Sequence, residues 1–489
     1  MKLCNIGHNF DYETEKLIRI FLPFEKIEIT HELCEGERLA VCIYNEKKHE
    51  VRAQLFLNGK KAEFVDTVTE YPNEELEKTC ERKLAVCLYD CFAQLTGYKA
   101  PFGILTGIRP AKLFSRFEKQ LTTKGAESFF ENEFRVSKNK ISLCRQTVKC
   151  EDKIVSLSKE NSFSLYLSIP FCPSRCSYCS FVSHSVENAG KIIPRYVEKL
   201  CEELKLVAKI AEDVGLRLET VYVGGGTPTA IDADRLDTVL KTVNGNFNLD
   251  NLREFTVEAG RPDTITAEKL EVIKQNGATR ISINPQTMND EILKNIGRRH
   301  TAEQMRDAFK LARKMGFDNI NTDLIAGLPL DTVESFNNTL SEILALDPES
   351  VTVHSLSMKR ASTLTKNGEL PEISAGIIAD KMVENARKVL TEHGVLPYYM
   401  YRQSKTVGNL ENVGYAKKGY EGLYNVYIMD ETHTILACGA SAVTKLRNPC
   451  GGEIERIFNF KYPYEYISRF DEQTLRKEKI AQFYEKYGK

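Results

Sequence analysis

A chain of 489 residues exceeds what one hydrophobic core ordinarily organises, so two or three domains are expected. Its 67 basic and 68 acidic residues leave a net charge of -1, which argues against a broadly basic nucleic-acid surface while leaving room for a local patch. The 14 cysteines are scattered along a chain that opens Met1-Lys2-Leu3-Cys4-Asn5 without the apolar run of a signal peptide, and no stretch approaches the ~18 apolar residues of a membrane span; the reading is a cytoplasmic protein with reduced thiols and no stable membrane insertion.

Residues Leu39–Tyr44 and Val51–Leu57 alternate as half-buried strands do, and Asn58-Gly59 supplies a turn, so a small antiparallel sheet is expected. Glu74–Leu95 carries Leu76, Cys80, Leu84, Cys87 and Cys91 at helical spacing. Cys87 and Cys91 lie one turn apart and could share a metal, but Leu84 and Leu95 on the same stripe favour core packing. In Leu105-Thr106-Gly107-Ile108-Arg109-Pro110 a glycine turn runs into a helix that also carries Lys112. Arg109 and Lys112 either meet an acidic ligand or mark a solvated helix start. Further helical segments run to about 160, so residues 1–160 read as an N-terminal α+β accessory domain.

From Ser164 the rhythm changes to strand, then helix. Strands are expected at Ser164–Ile169, Thr220–Val223, Glu254–Glu258, Arg280–Asn284, Asn319–Ala326 and Ser350–Leu356. Helical patterns at Arg195–Val214, Leu236–Val243, Thr266–Asn276, Thr301–Met315 and Thr332–Leu346 separate them. Six apolar strands alternating with helices imply an α/β fold, a partial (β/α)6 barrel over 161–378 with all strand C-terminal ends on one face. A mixed C-terminal extension, 379–489, is expected to cover the barrel opening. It holds a helix to His393, a hairpin of Tyr424–Met429 and Thr434–Ala437 over Asp430-Glu431, and helices from Pro463.

The chemistry concentrates at those strand ends. After the first, Ile169-Pro170-Phe171 leads into Cys172, Cys176 and Cys179, three thiols able to hold an iron-sulfur cluster with one iron left open. A zinc knuckle is the competing use; it needs a fourth Cys or His, and His184 is the closest candidate. After the second strand, Gly224-Gly225-Gly226-Thr227-Pro228 removes side chains so that a ligand can approach the backbone, and no Gly-Lys-Ser/Thr follows that would make it a phosphate loop. Glu258, Asn284 with Gln286, and Asp323 end the next strands. Polar groups at that rim suit a ligand with ribose hydroxyls, an adenine and a sulfonium charge.

The Cys-x3-Cys-x2-Cys loop resembles that of the radical S-adenosylmethionine (SAM) superfamily. Together with Gly-Gly-Gly-Thr-Pro, Gln286, Gly297-Arg298-Arg299-His300 and Asp323-Leu324-Ile325-Ala326-Gly327-Leu328-Pro329, it resembles the oxygen-independent coproporphyrinogen dehydrogenase family over about 160–445. Leu105–Pro110, Tyr399-Met400-Tyr401-Arg402-Gln403 and Gly408-Asn409-Leu410-Glu411-Asn412 are similar to a long bacterial branch of it. The resemblance implies a 4Fe-4S cluster on Cys172, Cys176 and Cys179 and two SAM molecules. Tyr166, Gly225 and Glu258 would touch the SAM on the cluster; Tyr178, Gly226, Thr227, Gln286, Arg298, Asp323 and Ser357 would touch the second.

It also implies a tetrapyrrole substrate, a reduced flavodoxin- or ferredoxin-type electron donor, no nucleic-acid partner and a monomer. The implied reaction is radical decarboxylation of two propionates of coproporphyrinogen III to vinyl groups, giving protoporphyrinogen IX in haem biosynthesis. Arg109 and Arg402 are the candidate propionate ligands, with Tyr399 and Tyr401 offering flat apolar area. Two positions depart from the family's dehydrogenases: Phe181 replaces a fourth cysteine and Ser168 a histidine. Phe181 is what the related haem-delivery chaperones show, but their His-Asn-x-x-Tyr-Trp haem segment has no counterpart in a chain without tryptophan. Haem delivery, or radical chemistry on another tetrapyrrole, are the alternatives.

Overall fold

The computed structural model describes residues 1–69, 74–181, 183–359, 362, 364, 373–403, 405–449, 451–452 and 454–487. The chain divides into two compact units. The first comprises Met1–Val148, Glu369–Lys381 and Met400–Glu411; the second comprises Lys149–Gly368, Met382–Tyr399 and Asn412–Lys489. The first unit therefore draws on residues well beyond 160, including Arg402 and Gly408-Asn409.

The first unit contains a five-stranded sheet of β1 (Lys2–Ile6), β2 (Glu28–Thr30), β3 (Leu39–Asn45), β4 (Glu50–Leu57) and β5 (Lys60–Thr67), in the order β2-β1-β3-β4-β5. β3, β4 and β5 form the expected antiparallel meander. Asn58 and Gly59 both hold positive φ (52° and 74°), the twist a two-residue hairpin loop needs. Every second residue of β4 is buried, and the helix Leu76–Thr96 packs Cys80, Leu84, Cys87, Leu88 and Cys91 into the same core. Leu76 stands outside that stripe, 38% exposed at the helix start. Gly97, in the left-handed region, ends the helix.

The second unit is built on β6 (Ser162–Ile169), the short pair β7 (Phe171–Cys172) and β8 (His184–Ser185), β9 (Arg217–Gly225), β10 (Glu254–Glu258), β11 (Arg280–Ser282), β12 (Ile320–Ala326) and β13 (Ser350–Ser355). The six strands β6, β9, β10, β11, β12 and β13 are parallel neighbours in that order, joined by helices such as Ile193–Asp213, Ala233–Asn246, Ala267–Gln275, Ala302–Lys314 and Val333–Ala345. Further strands extend the sheet at both margins: β14 (Leu396–Arg402), β15 (Glu411–Ala416), β16 (Thr434–Cys438), β17 (Val443–Leu446) and β18 (Glu455–Phe458). The result is an open, curved α/β sheet rather than a closed barrel. None of the described helices is long and apolar enough to cross a membrane.

The expected hairpin of Tyr424–Met429 with Thr434–Ala437 does not form. Leu423–Asp430 is a helix, and β16 instead runs parallel beside β6. The reason is tertiary. The Glu254 carboxylate accepts from the backbone N–H of Leu423 (2.5 Å) and Tyr424 (3.3 Å), satisfying first-turn donors that the local sequence leaves without a cap. Tyr424, Val426 and Tyr427 are buried from that helix, so its strand-prone side chains find a core without pairing.

Candidate radical SAM site

β6 delivers the chain into the cysteine loop, and the glycine run at the end of β9 is docked against it. Gly226 N–H donates to Ile169 O (2.9 Å) and Thr227 N–H to Phe171 O (2.8 Å). A Cβ on Gly226 would lie 2.6 Å from Phe171 O and 3.0 Å from Cys172 Sγ; one on Gly225, at φ 106°, would lie 2.9 Å from Ile169 N. Both glycines are therefore required by close approach. The Thr227 hydroxyl reaches Cys172 Sγ at 3.5 Å, and the Arg261 guanidinium reaches Cys176 Sγ at 3.6 Å. Arg261, 3% exposed, is held by Asp263 and by the Ser174 hydroxyl.

Burial pushes the Cys179 thiol up to about 11 and raises that of Cys172, with the Thr227 hydroxyl opposing the shift at Cys172. Deprotonation is thus left to a bound metal. Among the described residues no three of His, Cys, Asp and Glu meet closely enough to hold a single metal ion, and His184 instead packs edge-on against Tyr462 and Tyr464. The donor set is three thiols, one closing β7 and two on the irregular backbone after it, beside a cation and a hydroxyl. That set fits a thiolate-held iron-sulfur cluster better than a zinc knuckle.

Two carboxylates stand on β10 and β12, with β11 between them, and their surroundings differ. Glu258, at the end of β10, accepts from the Tyr222 hydroxyl at 2.5 Å. Burial pushes its carboxyl up to about 7, against the opposing pull of that hydrogen bond. Tyr222 is stacked with Tyr424 (centroids 4.5 Å apart), and Tyr166 lies nearly parallel to both at 6.2 Å. Asp323, on β12, is half-buried like Glu258. There the hydrogen bond and charge of His354, with help from Asn321, overcome the burial and hold the carboxyl below its usual range. The ion pair spans 3.6 Å from His354 Nε2, and Asn321 donates to Asp323 at 2.7 Å. The same pair raises the His354 pKa in spite of its burial.

The remaining rim residues join these two centres. Asn284 Oδ1 accepts from Asp323 N–H (3.1 Å), and Arg298 donates to Asn284 O (2.5 Å) and to the Tyr178 hydroxyl (3.2 Å). Gln286 holds φ 70°, uncommon for a residue with a side chain, and its backbone bridges β12 by bonds to Asp323 O and Ile325 N. Ser357 follows β13, half-buried, three residues beyond His354. Tyr166 and Glu258 thus lie with Tyr222, and Gln286, Arg298, Tyr178 and Asp323 lie along the β11–β12 side, whereas Gly225 packs on Ile169 and Ser168, and Gly226 and Thr227 pack on Phe171 and Cys172.

Sequence reasoning missed Tyr222, Arg261 and His354. Tyr222 sits two residues before the glycines on the strand face shared with Glu258. His354 is the last residue but one of β13, so a criterion that looks near the strand ends, carried one strand further, finds it.

Arg402 and Tyr399 are not exposed ligand groups. Arg402 is 2% exposed and donates to backbone carbonyls of Leu105, Gly107 and Asn409. Tyr399 is 6% exposed, its ring so close over Gly414 that a Cβ there would collide with it. Three carbonyl acceptors hold this charged side chain in the interior through Nε and Nη1, while Nη2 is buried without a hydrogen-bond partner among the described residues; its flanking tyrosines alone did not reveal that burial.

Residues 166–343 match the Radical SAM superfamily. Over 399 residues, 81% of this chain and 80% of its relative, the sequence is 39% identical to the oxygen-independent coproporphyrinogen-III oxidase-like protein HemZ of Bacillus subtilis. The chain belongs to the coproporphyrinogen-III oxidase-like family of radical SAM proteins. A second relative, the heme chaperone HemW of the same organism, is 31% identical over 57% of this chain and 70% of its own. The solved coproporphyrinogen III oxidase HemN of Escherichia coli, described as a radical SAM enzyme, superposes with a TM-score of 0.51 over 66% of this chain and 72% of its own at 22% identity, a likeness of fold. Family membership implies a 4Fe-4S cluster and SAM, and the cysteine loop has the residues to take them.

Proposed function

We propose that this protein is a radical SAM enzyme that oxidatively decarboxylates coproporphyrinogen III to protoporphyrinogen IX. The observation that carries the reading is the likeness to an oxidase-like protein across four-fifths of both chains, well beyond the superfamily core. Cys172, Cys176 and Cys179 would hold the cluster. When bound, cluster and SAM supply a 5'-deoxyadenosyl radical after one-electron reduction by a flavodoxin- or ferredoxin-type donor.

The chain's own residues bind and orient. Glu258 with Tyr166 and Gly225 would touch the first SAM. Asp323, Gln286, Arg298, Tyr178, Gly226, Thr227 and Ser357 take a second. Two carboxylates with pKa values pushed in opposite directions support two distinct ligand sites. The Tyr166, Tyr222 and Tyr424 rings line the interior and exclude water from the reacting centre.

One observation favours a second reading. Phe181, where a fourth cysteine stands in the family's dehydrogenases, is 67% exposed beside the cysteine loop, and haem chaperones are among the relatives. Product analysis of anaerobically reconstituted protein given coproporphyrinogen III, SAM and a reductant separates the two. Protoporphyrinogen is the expected product. Bound haem that passes to an acceptor protein, with no decarboxylation, would replace this reading by haem delivery, and a differently altered tetrapyrrole would replace the substrate.

A further inference from the structure

The strand that ends in Glu258 runs on through Ala259-Gly260 to Arg261, a buried cation whose partners all lie within the second unit. A guanidinium in the interior is costly unless its donors are matched, and here each N–H has an acceptor. Nε and Nη2 grip the two Asp263 oxygens (3.0 and 3.1 Å), and Nη2 also donates to the Ser174 hydroxyl (3.1 Å). Nη1 donates to Ser174 O (3.4 Å) and to Cys176 Sγ (3.6 Å). The base of the side chain is fixed as well. Thr264 gives both its N–H (2.9 Å) and its hydroxyl (2.8 Å) to Arg261 O, closing the turn Pro262–Thr264.

Asp263 alone would satisfy a structural arginine; this one also turns a corner of its fork toward a sulfur that, on the reading above, ligates iron. Cys176 is buried where Cys172 and Cys179 are half-buried, so its sulfur depends on the protein rather than on water for hydrogen bonds. A second buried guanidinium, Arg298, is bonded to neutral groups only, the Tyr178 hydroxyl and the carbonyls of Gly260 and Asn284. His300 adds no charge. Burial and the charges of Arg298 and Arg261 push its pKa down to about 3. An electron added to a cluster held by three thiolates adds negative charge, and net charge and hydrogen bonds to the sulfurs set the potential at which it enters. A donor and a positive charge at one ligand sulfur favour the reduced form.

We propose that Arg261 is a positioning residue that acts through Cys176 to raise the reduction potential of the cluster, bringing it within reach of a flavodoxin- or ferredoxin-type donor. Asp263 moderates the effect by holding a negative charge against the other nitrogens of the same guanidinium. This rests on the radical SAM reading above. In the step concerned one electron passes from donor to cluster; the donor is oxidised, the cluster reduced, and no bond is made or broken.

The test is a redox titration of the anaerobically reconstituted full chain without SAM or tetrapyrrole, with the reduced cluster read by electron paramagnetic resonance at matched iron and sulfide content. Arg261→Met should shift the one-electron equilibrium at least tenfold toward the oxidised form, a potential lower by ~59 mV. Asp263→Asn should shift it the other way, because the guanidinium then keeps its charge without the opposing carboxylate. SAM cleavage should follow the potential. Arg261→Met should be slow with flavodoxin hydroquinone and recover with titanium(III) citrate, a stronger reductant. A merely structural arginine predicts that both variants lose cluster together while the potential of what remains is unchanged, and that result overturns the inference. Should Arg261→Met assemble no cluster, Asp263→Asn decides: a raised potential supports the inference, and an unchanged or lowered one overturns it. A parent that assembles no cluster removes the radical SAM reading and this inference with it.

Discussion

Two sets of cysteines come close together in this chain and end in different surroundings. On the helix Leu76–Thr96, Cys80, Cys87 and Cys91 are at most 3% exposed in the apolar core of the first unit, and burial pushes each thiol up to about 12. Cys91 Sγ donates to Ala53 O at 3.3 Å, the bond of a neutral thiol. In the second unit Cys172 closes the short strand β7 and Cys176 and Cys179 follow on irregular backbone, with the Thr227 hydroxyl near the Cys172 sulfur and the Arg261 guanidinium near that of Cys176. Spacing alone does not separate the sets, because one helical turn brings two thiols together as readily as a loop does. Their neighbours separate them. Burial raises the Cys172 and Cys179 thiols as well, but at Cys172 the Thr227 hydroxyl and the Arg261 charge oppose it, which nothing charged or hydroxylic does so directly on the helix.

The largest expected break in this contrast is Cys176→Ala, which should abolish assembly of the 4Fe-4S cluster and SAM cleavage together, read by iron and sulfide analysis and by 5'-deoxyadenosine formation. A Cys176→Ala protein with full iron would erase the distinction. Next comes Gly226→Ala. Its Cβ would meet Phe171 O, Phe171 N and Cys172 Sγ at 2.6 to 3.0 Å, two of them backbone atoms, so the cysteine loop must shift and iron uptake should fall several-fold. Gly245→Ala, on the helix Ala233–Asn246 with nothing within 4 Å of its Cβ, is the control; it should stabilise the protein by about 0.5–1 kcal/mol in denaturant unfolding.

A third prediction sharpens the comparison by pH. With the Glu258 carboxyl raised to about 7, a cationic ligand loses its partner as pH falls below that value, so SAM affinity in equilibrium dialysis should decline by up to ~10-fold per unit below it. Glu258→Gln should flatten the profile, and a parent that is itself flat from pH 8 to 6 would undo the assignment. The stability consequence of the ligand-free state has the opposite slope. A raised carboxyl pKa favours folding below the ordinary carboxylate range, and that contribution is lost as pH rises through about 7. Asp323, held low, stays ionised throughout. The smallest effect belongs to Cys87→Ala, which should cost about 1 kcal/mol in denaturant unfolding and leave iron content unchanged. Lost iron there would mean that the buried set also binds metal.

The sequence made the parallel strands legible because their apolar runs, polar ends and intervening helical periods all agree; β10 carries the bounds expected of it, Glu254–Glu258. The cysteine loop and the glycine run were legible for the same reason, since each needs a residue type at a spacing. What stayed hidden depends on partners distant in sequence. Leu423–Asp430 is helical because Glu254 caps it, and Arg402 is buried because Leu105 and Gly107 turn their carbonyls toward it. A Tyr-Met-Tyr-Arg run reads equally well as a ligand surface or as a buried strand when those partners are out of view.

The parallel seat of β16 beside β6 bears on how the chain reaches this structure. Thr434–Cys438 pairs with Phe163–Leu167, and the Ser164 hydroxyl meets the buried His433 ring at 2.9 Å. Until the ribosome has released residue 438, the first long strand of the second unit has one unpaired flank, and the intervening domain-sized stretch must wait with an open edge available to other chains. Such long-range closure makes folding slow and late. Truncations that stop before Thr434 would leave β6 as a sticky, unpaired sheet edge, although every cysteine and carboxylate of the site is already present.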